Sequence, residues 1–236
     1  MDYLKDFALP SVLVAVISYF LGSFSFSIIF TRLFENDTDI RQLGSGNAGV
    51  TNVLRSVGPK AAVFTFIFDF AKGALSVVIG RLIFAYFCNL SGAPIIAIQY
   101  GAFIAGVSCV IGHIFPVYFG FKGGKGVLTS AAMIALIDWR VFIIVISIFI
   151  LLVLITKIVS LSSICAAAAF PITNFLIAFF IDFQRGNPTG SVTMTYVLVT
   201  TAIALVLAVI LITKHRSNIQ RIMNGTEKKI SVHKKA

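Results

Sequence analysis

Long apolar runs separated by short polar segments dominate the chain, at 9–30, 61–87, 94–119, 126–137, 141–155, 164–181 and 192–213. A helix of ~20 apolar residues matches a ~30 Å hydrocarbon core, so the pattern predicts an all-α, polytopic integral membrane protein with seven transmembrane helices. The first run is too long for a cleaved signal peptide, and its flank MDYLKDF carries two aspartates. It is expected to stay as the first helix. Between 126 and 155 the only break is Asp138-Trp139-Arg140. As one helix this stretch would be ~45 Å long, well beyond the hydrocarbon core. A short helical hairpin over 126–156, turning at Asp138, is therefore expected, with arms shorter than a full span.

Composition removes the alternatives. With 58% hydrophobic and 12% charged residues among 236 and a mean hydropathy of +0.98, a water-soluble fold is excluded. Cys88, Cys109 and Cys165 stand singly in apolar surroundings, without the spacing of a disulfide framework or a zinc site. The net charge of +10 lies in loops and tail rather than on a soluble basic face, so it points to membrane topology and not to nucleic acid. With the N-terminus outside, the inner side holds Arg41, Arg55, Lys60, Lys122, Lys125 and Lys157, followed by Lys214, Arg216, Arg221, Lys228, Lys229, Lys234 and Lys235. Only Lys5, Arg140 and Arg185 then fall outside. The positive-inside rule thus places the C-terminus in the cytoplasm. A single membrane domain is expected over 1–236: a helical bundle to 213 with cytoplasmic motif loops 35–60 and 119–126, then a basic cytoplasmic tail over 214–236.

Two polar loops carry the candidate chemistry. The first contains Gly44-Ser45-Gly46-Asn47-Ala48-Gly49-Val50-Thr51-Asn52-Val53-Leu54-Arg55. Closely spaced glycines let the backbone turn and gather N–H groups on an anion. Ser45, Asn47, Thr51 and Asn52 add neutral donors, and Arg55 a planar fork suited to phosphate. The same residues also suit an ordinary connecting loop. The second loop, at 112–126, reaches Lys122-Gly123-Gly124-Lys125-Gly126 just before an apolar helix. Such a helix start attracts anions. It is not a nucleotide P-loop, because Gly126 stands where Ser or Thr is required and no strand precedes it.

Inside the second apolar run, Asp69 and Lys72 share a helix face. An ion pair in a span either neutralises itself structurally or lines a polar cavity; structural support beside a site is the expectation here, as it is for His113. The last run ends in Lys214-His215-Arg216-Ser217-Asn218-Ile219-Gln220-Arg221. On a continuing helix His215, Asn218 and Arg221 face one side; a solvated juxtamembrane stop serves the same residues. The tail from Thr226 reads as a basic frayed end. Glu35, Asp37 and Asp39 read as solvated acids, and no metal site is expected.

The stretches GSGNAGVTNVLR at 44–55, FDFAKG at 68–73, GHIFPVYFGFKGGKGV at 112–127, SLSS at 160–163 and KHRSNIQR with the later Glu227 closely resemble the bacterial acyl-phosphate-dependent glycerol-3-phosphate acyltransferase family. The resemblance implies a seven-helix enzyme of the bacterial inner (plasma) membrane. It transfers an acyl group from acyl phosphate to the 1-hydroxyl of sn-glycerol 3-phosphate, giving lysophosphatidic acid and inorganic phosphate, the first step of membrane phospholipid synthesis. It implies no cofactor, no metal and no nucleic-acid partner; acyl phosphate, glycerol 3-phosphate and membrane lipids are the partners, and no motif encodes an oligomeric state. Carried over by position, Ser45, Arg55 and Lys125 resemble phosphate-binding residues, with the backbone at Gly46 and Asn47 completing the cradle. His215 and Asn218 resemble residues that contact glycerol 3-phosphate, His215 as general base or as a binding group. A transporter for an organic phosphate is the rival reading, though it favours a midplane site and inverted halves, and no repeat is visible.

Overall fold

The computed structural model describes residues 3–185 and 192–230, and every regular element among them is helical. The chain divides into two compact units, Met1–Ile137 and Asp138–Ala236.

The first unit contains α1 (Tyr3–Gly22), α2 (Phe26–Phe34), α3 (Val50–Ser56), α4 (Pro59–Ser91), α5 (Ala97–Ile114) and α6 (Val127–Ile137). Helices α1, α4 and α5 pack closely because small residues line their contacts, the usual device where no hydrophobic force separates helix from lipid. A Cβ at Gly22 would collide with the Cys109 carbonyl oxygen, and one at Gly80 with that of Gly101. Helix α4, at 33 residues, is ~50 Å long and exceeds the ~30 Å core. Its N-terminal part packs with α2 and α3, and its buried Ala61 and Ala62 join Ile28, Ile40, Ala48 and Val53 in one apolar cluster. Burial of each large aliphatic side chain contributes about 1.5–3 kcal/mol, and this cluster is the floor on which the glycine-rich loop is laid.

The expected single helix over 9–30 is broken at Ser23-Phe24-Ser25. The Ser23 hydroxyl donates back to the Tyr19 carbonyl (2.9 Å), and the Phe24 carbonyl is withdrawn from the helix ladder to accept from Lys72 Nζ (2.6 Å). Hydropathy alone does not register such a break, because long apolar stretches flank the serines on both sides.

The second unit contains α7 (Trp139–Thr156), α8 (Val159–Leu176) with a π-helical extension Ile177–Phe183, α9 (Met194–Lys214) and α10 (Arg216–Met223). Asp138 caps α7 by accepting from the Arg140 amide (2.9 Å), so the helix break falls where the polar triplet predicts it. The Arg140 guanidinium also grips both Asp182 carboxylate oxygens (2.8 and 2.7 Å), tying the start of α7 to the π-helical segment.

Among the described residues, six stretches are long and apolar enough to cross a membrane: Phe7–Phe34, Pro59–Ser91, Ala97–Phe119, Trp139–Thr156, Val159–Phe183 and Met194–Lys214. The stretch expected at 126–137 is the 11-residue α6, ~16 Å long and about half of the hydrocarbon thickness.

Candidate active site

The first motif loop is organised by one buried side chain. Asn52, on the first turn of α3, accepts from the Ser45 amide through Oδ1 (2.9 Å). Its Nδ2 donates to the carbonyls of Ile40 (3.3 Å), Leu43 (2.9 Å) and Asn47 (3.1 Å). Asn52 therefore holds the loop in shape instead of presenting a donor to an anion, the role the sequence suggests for it. Gly44 and Gly46 take φ of +57° and +70°, and a side chain at Gly44 would collide with Asn52 Oδ1. The Gly46 amide closes a turn onto the Leu43 carbonyl (2.9 Å). The amides of Ser45 and Gly46 are thus committed within the loop, which takes the Gly46 amide out of the cradle expected of the backbone at Gly46 and Asn47. Ser45 and Arg55 remain exposed and Thr51 and Asn47 partly so.

The second loop is pressed against the first. After α5, the amides of Gly123 and Gly124 turn back to the carbonyls of Ile114 and His113 (3.2 Å each). Gly124 is wedged so tightly that a Cβ would meet both His113 Nε2 and the Ala48 carbonyl oxygen. Lys125 follows immediately and leads into α6. His113 is held from behind, since its Nδ1 lies 3.0 Å from Lys72 Nζ. Lys72 in turn pairs with Asp69 at 2.7 Å, both side chains being 2% exposed. Asp69, Lys72 and His113 thus form one buried cluster directly behind the second loop.

A second tie joins the two loops. The Arg41 guanidinium donates to the Phe119 and Lys122 carbonyls (2.7 and 3.2 Å), strapping the second loop to the first. Asp39 fixes that guanidinium through contacts of 2.7–3.1 Å. Burial opposes ionisation of Asp39, but the hydrogen bonds and charge of Arg41, with help from Arg32, outweigh it and hold the carboxyl below its ordinary value. Asp39 is accordingly a structural partner and not one of three solvated acids.

In the second unit, α9 ends at Lys214 and a new helix begins at Arg216. His215 sits buried at the joint (3% exposed), so the continuing helix expected through 221 is replaced by a bend. A carbonyl can only accept, so the 2.8 Å contact of His215 Nδ1 with the Leu211 oxygen places the proton on Nδ1. The neutral ring then carries its lone pair on Nε2. Asn218 Nδ2 donates to Glu227 Oε1 (2.7 Å), Ser160 Oγ donates to the same oxygen (2.7 Å), and Arg221 Nε donates to Oε2 (2.6 Å). Burial works against the Glu227 carboxylate, yet these three donors and the Arg221 charge hold its pKa below the ordinary value. The Ile230 amide adds a bond to the Lys157 carbonyl (2.8 Å). The segment Thr226–Ile230 is therefore docked, which corrects its reading as a frayed end; Lys234 and Lys235 lie outside the described residues.

The model of the family described as glycerol-3-phosphate acyltransferase matches residues 12–225. The chain belongs to that family. A glycerol-3-phosphate acyltransferase of Prochlorococcus marinus (strain MIT 9515) is 36% identical over 221 residues, covering 94% of this chain and 98% of the relative. One of Syntrophomonas wolfei subsp. wolfei is 38% identical over 216 residues, covering 92% and 95%. The structure is similar to that of PlsY (YgiH), an integral membrane glycerol 3-phosphate acyltransferase, in its glycerol 3-phosphate form (TM-score 0.72, 29% identity, 94% of this chain and 96% of that one). The lysophosphatidic acid form of the same protein gives a TM-score of 0.70 at 29% identity over 94% and 95%.

For a glycerol-3-phosphate acyltransferase, the residues brought together divide by unit. In the first, Ser45 lies on the first loop, Thr51 and Arg55 on the following α3 and Lys125 on the second loop, and the two loops meet at Ala48–Gly124 and through Arg41. The second gathers His215 and Asn218 around the α9–α10 bend. Sequence reasoning overlooked Arg41 as a strap and the Ser160–Glu227 bond. Glu227 and the SLSS stretch are signalled by the family resemblance, but nothing in the sequence shows that they bond to each other.

Proposed function

We propose that this enzyme transfers the acyl group of an acyl phosphate to the 1-hydroxyl of sn-glycerol 3-phosphate, releasing inorganic phosphate and lysophosphatidic acid. The reaction breaks the bond between the acyl carbon and the phosphate oxygen and forms an ester bond to the glycerol oxygen. The hydroxyl proton leaves to His215 Nε2 or to an oxygen of a substrate phosphate. Acyl phosphate already carries a good leaving group, so no acyl-enzyme is needed; the protein must position the hydroxyl and offset phosphate charge. Arg55, Lys125 and the Ser45 hydroxyl take the phosphate contacts, Thr51 and Asn47 line the same loop, and Asn218 and His215 take the glycerol 3-phosphate contacts.

The observation that carries this reading is the joint between the two loops, where Gly124 abuts the Ala48 carbonyl. It unites the loop bearing Ser45 and Arg55 with the residue preceding Lys125, as a phosphate-handling site needs. Seven passes are proposed, with α6 as a short one in locally thinned membrane, the N-terminus outside and the C-terminus in the cytoplasm of a bacterial cell. That orientation is supported by the cation asymmetry of the loops. Purified protein supplied with acyl phosphate and glycerol 3-phosphate is expected to release inorganic phosphate dependent on both substrates. Release that needs no glycerol 3-phosphate, or acylation supported equally by a thioester donor, overturns the proposal.

A further inference from the structure

We propose that Lys72 is a positioning residue for Lys125, acting through the ring of His113; the inference rests on the phosphate-binding role proposed above for Lys125. An ammonium has three N–H donors and no acceptor. Lys72 Nζ donates to the Phe24 carbonyl at 2.6 Å and to His113 Nδ1 at 3.0 Å, with Asp69 Oδ1 as its ion-pair partner at 2.7 Å. The break between α1 and α2 leaves the Phe24 carbonyl open to accept from this cation.

The ammonium also selects the histidine tautomer. With Nδ1 accepting, the ring hydrogen lies on Nε2, the atom directed at Gly124. The His113 carbonyl meanwhile accepts from the Gly124 amide (3.2 Å). Ring and main chain of His113 thus hold Gly124 against the Ala48 carbonyl, and Lys125 is the next residue. An ion pair within a span is costly to retain. Setting the register of a phosphate-binding lysine gives this pair a use beyond self-neutralisation.

Two measurements test it. Nitrogen-15 NMR of the full chain labelled at histidine is expected to show His113 as the Nε2–H tautomer, assigned by loss of its signal in His113→Asn. An Nδ1–H tautomer overturns the proposal, whether or not the protein turns over. Steady-state kinetics form the second arm. Lys72→Met is expected to raise KM for glycerol 3-phosphate or acyl phosphate at least ~10-fold while kcat stays within ~3-fold, and to add little to the defect of Lys125→Ala. A fall in kcat at unchanged KM, or full additivity with Lys125→Ala, marks a merely structural lysine and overturns the proposal. Wild-type protein that shows the Nε2–H tautomer but releases no phosphate counts instead against the proposed reaction.

Discussion

Asn218 donates to Glu227 over 2.7 Å, and the same carboxylate oxygen receives Ser160 from the first turn of α8. One carboxylate therefore orients a residue proposed to contact substrate and fastens the chain that follows it. Hydrogen bonds to a charged group contribute about 1.5–3 kcal/mol each, although the Arg221 partner is 40% exposed and recovers water when released. Glu227→Ala is expected to destabilise the second unit by about 2–3 kcal/mol and to lower activity more than Arg221→Ala does. Thermal unfolding in detergent and phosphate release check both. Because the folded carboxyl titrates below the ordinary 4.5, its contribution is complete above about that pH and is lost as pH falls through the lowered value. Amide exchange at Ile230 is expected to accelerate over the same acidic range.

Gly124 and Gly120 separate packing from backbone strain within one loop. A Cβ at Gly124 meets His113 Nε2 and the Ala48 carbonyl, whereas one at Gly120 meets nothing within 4 Å but must adopt φ of +65°. Gly124→Ala is expected to raise KM for a phosphate-bearing substrate about 10-fold or more, a loss of about 1.4 kcal/mol in binding. Gly120→Ala is expected to cost roughly 1 kcal/mol of stability with kinetics nearly unchanged. Equal KM values for the two variants would remove the wedge from the account of the site.

The length of the apolar runs marks the six stretches long enough to cross a membrane and the helix break at Asp138, because these features depend on local chain chemistry. The interruption at Ser23-Phe24-Ser25 is hidden for a different reason: the Phe24 carbonyl it frees is taken by Lys72, 48 residues away in the chain. Asn52 was read as a ligand donor because an amide suits either task; only the placement of Ile40, Leu43 and Asn47 around it decides that it binds backbone. Arg41 counted merely as an inner cation, since no local pattern places the Phe119 and Lys122 carbonyls within its reach.

Arg41 supplies a test of that strap. Its guanidinium spans Asp39 on one side and two carbonyls of the second loop on the other, a planar fork that lysine does not reproduce. Arg41→Lys is expected to lose activity about as severely as Arg41→Ala, by roughly 10-fold or ~1.4 kcal/mol. Lys60→Ala, which removes an exposed cation from the same polar segment, serves as the charge control and is expected to stay within about 2-fold. Restored activity in Arg41→Lys would show that charge alone suffices there.

His215 carries the sharpest mechanistic consequence. Its Nδ1 is held by the Leu211 carbonyl at 2.8 Å, so the neutral ring offers Nε2 as an acceptor without a tautomer change, the state required of a general base or of an anchor for a hydroxyl. His215→Ala is expected to lower kcat/KM about 100-fold, near 2.7 kcal/mol. The two roles diverge in the pH profile. A base must be deprotonated to act, so the rate of the intact enzyme falls toward acid pH, and the variant is expected to lose that limb. If the limb persists in His215→Ala while KM for glycerol 3-phosphate rises, the proton goes to a substrate phosphate and the ring serves binding alone. His215→Gln, which keeps a hydrogen-bonding group but cannot accept a proton, is expected to recover binding without recovering the limb.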